Sequence, residues 1–488
     1  MATATAAQPV KPYSFQRWLD LLGIPVAVVV FLALYLMPTP SGLSIQGQMA
    51  IAVFMAALVL WVSQAIPTYA TSLLAMVFLV LTGAWAESNV LGVFGQDVIW
   101  LMVCAFILTS AMTKANLARR IALAMVVTFG SRARWALLSM VVLNGFLAFL
   151  VPSTTARAAL MLPIVLILAD VYGAVQGRSN FGAALMIQEL QSNNIYTSGI
   201  LTATACNIMA VGFIRELGKQ QVFYTDWLLA GFPIAVITMF IAWIMGLVFL
   251  KPEHDTPKGQ GLQVLRDELK SMGRLTATEW KAGFIFTLTI FLWVTDRWHA
   301  AWWGFPITTQ MVAIIAATLC FLPGVGLLGW KETKIPWDLM IFSCGAYAVG
   351  LALEATGGAR WMMDSIFVAT GIKSMSFFSA YVVVILVAMF SHFVFTSKTV
   401  RTAIVIPVVI VLAKSMGFSP MSLALPAALT MTWTITLPPH CKPNLIFYGT
   451  GQFTITQQLV YGLAVCFVGA ALLILAGPTW FTYLGIVK

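Results

Sequence analysis

Long apolar runs recur along the chain, and they leave very few folds open to it. Five of them cover residues 21–37, 48–66, 97–113, 226–250 and 458–477. Each approaches the roughly 20 residues that a helix needs to cross a hydrocarbon core about 30 Å thick. Barrel strands would alternate apolar and polar residues, whereas these runs are continuous. Because 60% of the residues are hydrophobic and only 9% are charged, we predict an all-α polytopic membrane protein.

Basic residues are concentrated in two polar stretches, which indicates how the chain is oriented. Residues 114–134 contain five Lys and Arg residues, and the connector 251–281 contains six. Both are predicted to be cytoplasmic, because loops on that side carry an excess of basic residues. Lys11 and Arg17 agree with a cytoplasmic N-terminus. Because the first apolar run follows Arg17 without a small-residue cleavage site, residues 1–47 are interpreted as an N-terminal segment with a retained first helix. Topology in a bacterial inner membrane then accounts for much of the net charge of +10, without a nucleic-acid partner.

One hydroxyl-rich motif occurs twice, at positions 244 residues apart. The copies are Ser153-Thr154-Thr155-Ala156-Arg157 and Ser397-Lys398-Thr399-Val400-Arg401. Polar turns that end in arginine are costly within apolar sequence, so a matched pair suggests duplicated halves that meet at one polar site. Secondary transporters are built in this way.

Further landmarks follow in the same order in each half. Asp97-Val98-Ile99-Trp100 corresponds to Asp338-Leu339-Met340-Ile341, and an interrupted apolar segment ends at Asn207 in one half and at Asn444 in the other. We therefore predict inverted repeats over 48–250 and 282–488, separated by a cytoplasmic connector over 251–281. The motifs would lie at the tips of re-entrant hairpins, and the interrupted segments would be discontinuous helices. The predicted hairpins cover about 136–170 and 377–415, and the predicted discontinuous helices cover about 183–213 and 421–450.

Each hairpin tip has the chemistry of an anion site. The first N–H groups of the outgoing half-helix have no intrahelical acceptor, and the helix dipole places partial positive charge there. Non-helical backbone at membrane depth is tolerated only where it lines a cavity within the protein. The two tips are therefore predicted to face a shared anion site.

With these paired tips and paired Asn-terminated breaks, the chain resembles the divalent anion/sodium symporter family over nearly its whole length. That family includes sodium-coupled dicarboxylate transporters and carboxylate exchangers. The resemblance implies about eleven transmembrane helices, an elevator mechanism and a homodimer. It also implies that Ser153, Thr155, Ser397 and Thr399 contact substrate carboxylates. The full set of expected substrate-binding residues is Ser153, Thr154, Thr155, Asn207, Ser397, Lys398, Thr399 and Asn444, with Thr204, His440 and Lys442 as further candidates.

The chain departs from the family at the centre of each tip. The usual motif is Ser-Asn-Thr, in which the Asn helps to bind sodium, but Thr154 and Lys398 stand at these places here. Exchangers of the family have a basic residue two positions after the tip Thr, which corresponds to Arg157 and Arg401. Fixed cations can neutralise a bound anion but make the empty site costly to move. The sequence therefore predicts sodium-independent exchange of di- or tricarboxylates, with Arg157, Arg401 and Lys398 as fixed counter-charges.

Several alternatives remain open at the level of sequence. Tip hydroxyls can bond the preceding turn of their own helix, the arginines can snorkel or pair with a carboxylate, and the paired Asn residues can be helix caps. Glu189 and Glu354 could carry protons. A sodium- or proton-coupled symporter and an anion channel are the rival functions. Enzyme motifs, metal-ligand clusters and cofactor fingerprints are lacking in the sequence, so we expect no enzyme, no cofactor and no metal centre.

Overall fold

The computed structural model describes residues 14–257, 261–370, 375–395 and 397–487. Every regular element among these residues is helical, which confirms the all-α prediction. Lys11 and Lys258, which contributed to the predicted orientation, lie outside the described residues, as does Thr396 beside the second motif.

The main helices are numbered in chain order. They are α1 (Ser14–Leu36), α2 (Ile45–Ser63), α3 (Thr68–Leu81), α4 (Glu87–Gly92), α5 (Asp97–Ala115), α6 (Leu117–Phe129), α7 (Ala133–Leu150), α8 (Thr154–Val171), α9 (Asn180–Gly199), α10 (Ala205–Glu216), α11 (Tyr224–Phe249), α12 (Gly261–Ser271), α13 (Ala277–Val294), α14 (His299–Trp303), α15 (Thr309–Leu319), α16 (Trp337–Ala355), α17 (Gly358–Thr370), α18 (Phe377–Phe390), α19 (Lys398–Ser415), α20 (Pro420–Thr430), α21 (Lys442–Tyr448) and α22 (Ile455–Ala476).

Seven segments of the described chain are helical, long and apolar enough to cross a membrane. They are Ile45–Ser63, Glu87–Ala115, Ala133–Leu150, Thr154–Val171, Tyr224–Phe249, Trp337–Ala355 and Ile455–Phe481. Shorter apolar helices accompany them, at Leu21–Leu36, Thr68–Leu81, Thr309–Leu319, Phe377–Phe393 and Pro420–Thr430. These helices agree with a multi-pass membrane protein.

The helices form two compact units, and each unit takes segments from both halves of the chain. The first consists of Met1–Gly95 and Trp337–Ile372. Within it, α1 packs along α2, and α3 packs along α16. A Cβ atom on Gly345 would collide with Ser72, whose hydroxyl donates to the carbonyl of Phe342 at 3.2 Å. Small residues let α3 and α16 approach closely, as is usual between membrane helices.

The second compact unit consists of Gln96–Pro336 and Lys373–Lys488, and it contains every candidate site residue. Helix α9 lies in its interior, buried from Phe181 to Gly199 and packed against α7, α8 and α11. A Cβ atom on Gly199 would lie 2.7 Å from the Cα of Phe232. Glycine thus permits close contact between α9 and α11.

Candidate functional site

Each copy of the repeated motif begins with a serine that caps a helix. Ser153 precedes α8 and its Oγ accepts a hydrogen bond from the backbone N–H of Ala156 at 3.3 Å. Ser397 precedes α19 and accepts from the N–H of Val400, also at 3.3 Å. Serine is among the preferred N-cap residues because its oxygen satisfies one of the first helical N–H groups. Each hydroxyl hydrogen can still be donated to a ligand.

The helix breaks at Asn207 and Asn444 have the same geometry, displaced by 237 residues along the chain. The Asn207 amide donates to the carbonyls of Thr197 at 2.7 Å and Ile200 at 2.9 Å. Asn444 donates to the corresponding carbonyls of Thr434 and Leu437, at 2.6 and 2.9 Å. A short 3₁₀ turn precedes each second half-helix, over Leu201–Ala203 and Pro438–His440. Both Asn side chains therefore bridge a break in the helix, and neither is at the cap position.

Replacing Asn207 with Leu is expected to lower the free energy of unfolding by about 2 kcal/mol or more. The carbonyls of Thr197 and Ile200 would lose a donor in a buried region, and each unsatisfied buried group costs roughly 1–3 kcal/mol. Thermal or denaturant unfolding of purified protein in detergent measures the change. Ile208→Leu, a volume-conserving change of a buried side chain on the same helix, should cost under about 1.5 kcal/mol. Equal losses in the two variants would contradict the bridging role.

Lys398 connects the two copies of the motif. Its Nζ donates to Thr154 Oγ1, the matching position of the first motif, at 3.3 Å, and to Asn194 Oδ1 at 2.9 Å. The Asn194 amide in turn donates to Asn444 Oδ1 at 3.3 Å. The two copies of the motif, α9 and the helix break at Asn444 are thus connected through Lys398 and Asn194. A weaker contact of 3.7 Å, between Thr399 Oγ1 and Cys206 Sγ, links the second tip to α10.

Arg157 and Arg401 are fully buried, each against the helix that leads into a break. Arg157 Nη2 donates to the carbonyl of Asn193 at 3.3 Å and to the hydroxyl of Thr197. Arg401 Nη2 donates to the carbonyl of Thr430 at 2.6 Å, at the end of α20 where the helix dipole favours a cation. Within the described residues, Nε and Nη1 of both arginines have no hydrogen-bond partner. Complete burial excludes snorkelling for both side chains.

The remaining candidates differ in their surroundings. Thr155 is half-buried. Thr204 is buried at the N-cap position of α10, but its side chain makes no capping hydrogen bond. His440 is buried, and the Thr436 hydroxyl is hydrogen-bonded to both His440 Nδ1 and His392 Nε2, at 3.0 and 2.8 Å. Lys442, two residues after His440, is exposed. His440 and Lys442 were both predicted as further candidates, and the structure gives them different surroundings.

Sequence reasoning missed Asn193 and Asn194 on α9. Asn193 Nδ2 donates to the carbonyl of Thr154 at 2.9 Å, and Asn194 links Lys398 to Asn444. Both Asn side chains are fully buried, as is Glu189, whose Oε1 accepts from Asn144 Nδ2 at 2.8 Å. The run Gln188–Asn194 contains five amide or carboxyl side chains within a buried segment. That density of polar groups was the signal available in the sequence.

The site carries clustered charge. Lys398 interacts electrostatically with both Arg157 and Arg401, and Glu189 interacts with Arg157. Such an arrangement can hold an anion between two helix N-termini and fixed cations.

A family profile covers almost the entire chain. The family is described as the sodium:sulfate symporter transmembrane region, and its profile matches residues 17–487. The chain belongs to this family. Membership of the sodium:sulfate symporter family agrees with the resemblance found in the sequence, and it makes the protein a member of a transporter family and not an enzyme.

Relatives within the family are distant but similar over their full length. The sodium-dependent dicarboxylate transporter SdcS of Staphylococcus saprophyticus is 26% identical over 478 residues, which cover 93% of this chain and 90% of the relative. SdcS of Staphylococcus aureus strain RF122 is 27% identical over 487 residues, which cover 95% and 91%. A protein of Cupriavidus necator, described only as a membrane protein, is 26% identical over 485 residues, which cover 95% and 93%.

Two solved transporter structures share the fold. The YdaH transporter of Alcanivorax borkumensis aligns with a TM-score of 0.55 at 12% identity, over 95% of this chain and 97% of that structure. MtrF of Neisseria gonorrhoeae, from a class of antimetabolite efflux pumps, aligns with a TM-score of 0.53 at 10% identity, over 94% and 97%. At these identities the likeness shows the fold alone.

Proposed function

We propose that the protein is a secondary active transporter that exchanges di- or tricarboxylate anions across the membrane without sodium. The bound anion would contact Ser153, Thr155, Ser397 and Thr399 at the tips, and Lys398 between them. Arg157 and Arg401 would act behind the tips as fixed counter-charges. The carboxylate assignment is supported by relatives named as dicarboxylate transporters.

The contact of Lys398 Nζ with Thr154 and Asn194 is the observation that carries this proposal. Lys398 places an ammonium group where the two copies of the motif meet, and a sodium ion beside that group would be strongly repelled. An anion neutralises the ammonium group directly. Once the anion has left, the site retains its positive charge, and moving that charge through a low-dielectric region is costly. Return of the carrier then needs another anion, which is exchange.

Architecture and assembly remain parts of the proposal. The equal geometry of the breaks at Asn207 and Asn444 supports a duplication, with inverted repeats over 48–250 and 282–488. The hairpins would be re-entrant, and about eleven helices would cross the membrane. We further propose elevator movement, a homodimer, a cytoplasmic N-terminus and residence in a bacterial inner membrane.

Uptake into proteoliposomes tests the proposed function. Labelled succinate, citrate or tartrate is added outside, with or without unlabelled carboxylate inside, and with sodium replaced by choline. We expect uptake that requires internal anion, saturates and is unchanged in choline. Labelled sulfate is included because of the family description. Uptake that does not saturate, and that internal anion does not accelerate, would instead indicate a channel.

Sodium-coupled symport is the second candidate function, because the SdcS relatives are named as sodium-dependent. Thr154 retains an oxygen that could contribute to a cation site at the first tip. Uptake into anion-free vesicles driven by an inward sodium gradient would establish this alternative. A proton gradient in place of the sodium gradient tests proton coupling in the same vesicles.

A further inference from the structure

Glu189 distinguishes the two halves of the site. The positions that correspond to Glu189 and Asn144 in the second half are Pro426 and Ala388, at offsets of 237 and 244 residues. Within the described part of the chain, both halves thus contribute a buried arginine, whereas the first alone contributes a buried carboxylate near it. The asymmetry affects the net charge of the site.

The geometry of α9 places Glu189 on the same helix face as the residues that contact Arg157. Glu189, Asn193 and Thr197 are spaced by four residues, so they lie on one face of the helix. Arg157 contacts Asn193 and Thr197, and Glu189 lies four residues before Asn193, about 6 Å along the helix axis. The two charged groups interact electrostatically, and Asn144 donates to Glu189 Oε1 at 2.8 Å. A guanidinium remains charged in proteins, and a buried charge is tolerated when it has a partner.

The other buried carboxylates in the described chain are engaged elsewhere. Asp226 pairs with Arg297, and Glu279 pairs with Arg120. Asp296 accepts from the backbone N–H of Tyr224 at 2.6 Å. Glu189 is thus the buried acidic group that the structure associates with the repeated motif.

We propose that Glu189 is the fixed counter-charge of Arg157, and that it limits the empty site to two positive charges, so that the site prefers a dianion. Three cations, Arg157, Arg401 and Lys398, face one carboxylate. This inference rests on the proposed function and specifies the charge class of its substrate. Glu189 is a positioning residue, because it affects the ligand through the charge of Arg157 and not by direct contact.

Binding competition measures the effect separately from transport. Succinate and citrate compete with labelled succinate for purified protein at mildly alkaline pH, where both acids are ionised and histidine is neutral. Glu189→Gln is expected to raise the affinity for citrate relative to succinate about tenfold. One unit charge roughly 10 Å away, at an effective dielectric of about 20, corresponds to about a decade in binding. Glu189→Asp retains the charge and should retain the wild-type ratio.

A charge cycle provides the decisive control. Arg157→Gln should lower the citrate to succinate ratio, and the double variant Arg157→Gln/Glu189→Gln should restore it, since two positive charges remain. Asn144→Leu removes the hydrogen bond to Glu189 but removes no charge. The citrate to succinate affinity ratio of this variant should therefore stay near that of the wild type. Size-exclusion profiles verify that each variant is folded, and the double variant avoids an unpaired arginine if Glu189→Gln is unstable.

Each outcome decides the inference. Equal losses of both ligands in Glu189→Gln, or a double variant that does not restore the ratio, would overturn it. Wild-type protein that binds neither carboxylate would overturn the proposed function itself. If the wild type binds carboxylates but the citrate to succinate affinity ratio does not change in Glu189→Gln, the proposed function stands and only the role of Glu189 is lost.

Discussion

Lys398→Asn is expected to weaken the binding of citrate at least about ten times more than that of succinate. The ammonium lies where both tips meet, in contact with Thr154 and Asn194. One additional unit charge on the ligand, about 8 Å from a lysine at an effective dielectric of about 20, gains roughly 2 kcal/mol. That gain exceeds one decade in affinity. Competition against labelled succinate, with purified protein in detergent, gives both affinities.

Lys414→Asn is the matched control for this variant. It makes the same substitution on the same helix, α19, but sixteen residues further along, which is about 24 Å away. We expect it to leave both affinities nearly unchanged. Equal loss of succinate and citrate affinity in Lys398→Asn would show that Lys398 does not discriminate between ligands by their charge.

Substitutions of Lys398 and of Glu189 are expected to shift the citrate to succinate affinity ratio in opposite directions. Removing the ammonium lowers the positive charge of the site, and removing the carboxylate raises it. The double variant Lys398→Asn/Glu189→Gln keeps two positive charges, on Arg157 and Arg401, so its citrate to succinate ratio should return toward that of the wild type. If either residue only supported the local fold, the double variant would not be expected to restore the citrate to succinate ratio.

The N-caps and helix breaks of the candidate site have local signals in the sequence. A Ser N-cap opens each of α8 and α19, and the predicted break before Asn207 recurs before Asn444 with the same carbonyl partners. Capping and helix interruption depend on residues within a few positions of one another, and such patterns can be read from one sequence.

The contacts between elements could not be read in this way. Lys398 reaches Asn194 across 204 residues, and Glu189 reaches Asn144 across 45 residues. Such pairs depend on which helix faces pack together, and an apolar chain offers many packings with the same hydropathy. The compact unit that joins Met1–Gly95 to Trp337–Ile372 also depends on long-range packing of α3 on α16. The sequence supplied candidates such as Asn207, but the structure was needed to distinguish a bridge from a cap.

The double variant Lys398→Asn/Arg401→Gln is expected to lose most of the requirement for internal anion. Gln at position 401 removes the charge and retains a polar side chain. Only Arg157 and its partner Glu189 would remain, and the empty site would carry no net charge. Burial of one unpaired ion costs several kcal/mol, and each 1.4 kcal/mol is a factor of ten. We therefore expect the ratio of uptake with internal anion to uptake without it to fall roughly a hundredfold.

Proteoliposome uptake of labelled succinate, normalised to the bound amount, measures this ratio independently of the weaker affinity of the variant. The control Lys414→Asn/Arg266→Gln removes the same two charges from positions outside the site, where Arg266 is exposed on α12. It should keep the wild-type dependence on internal anion. If the site variant also kept that dependence, fixed charge would not be what prevents return of the empty carrier. Obligatory exchange would then need another cause, such as closure of the tips only around a bound anion.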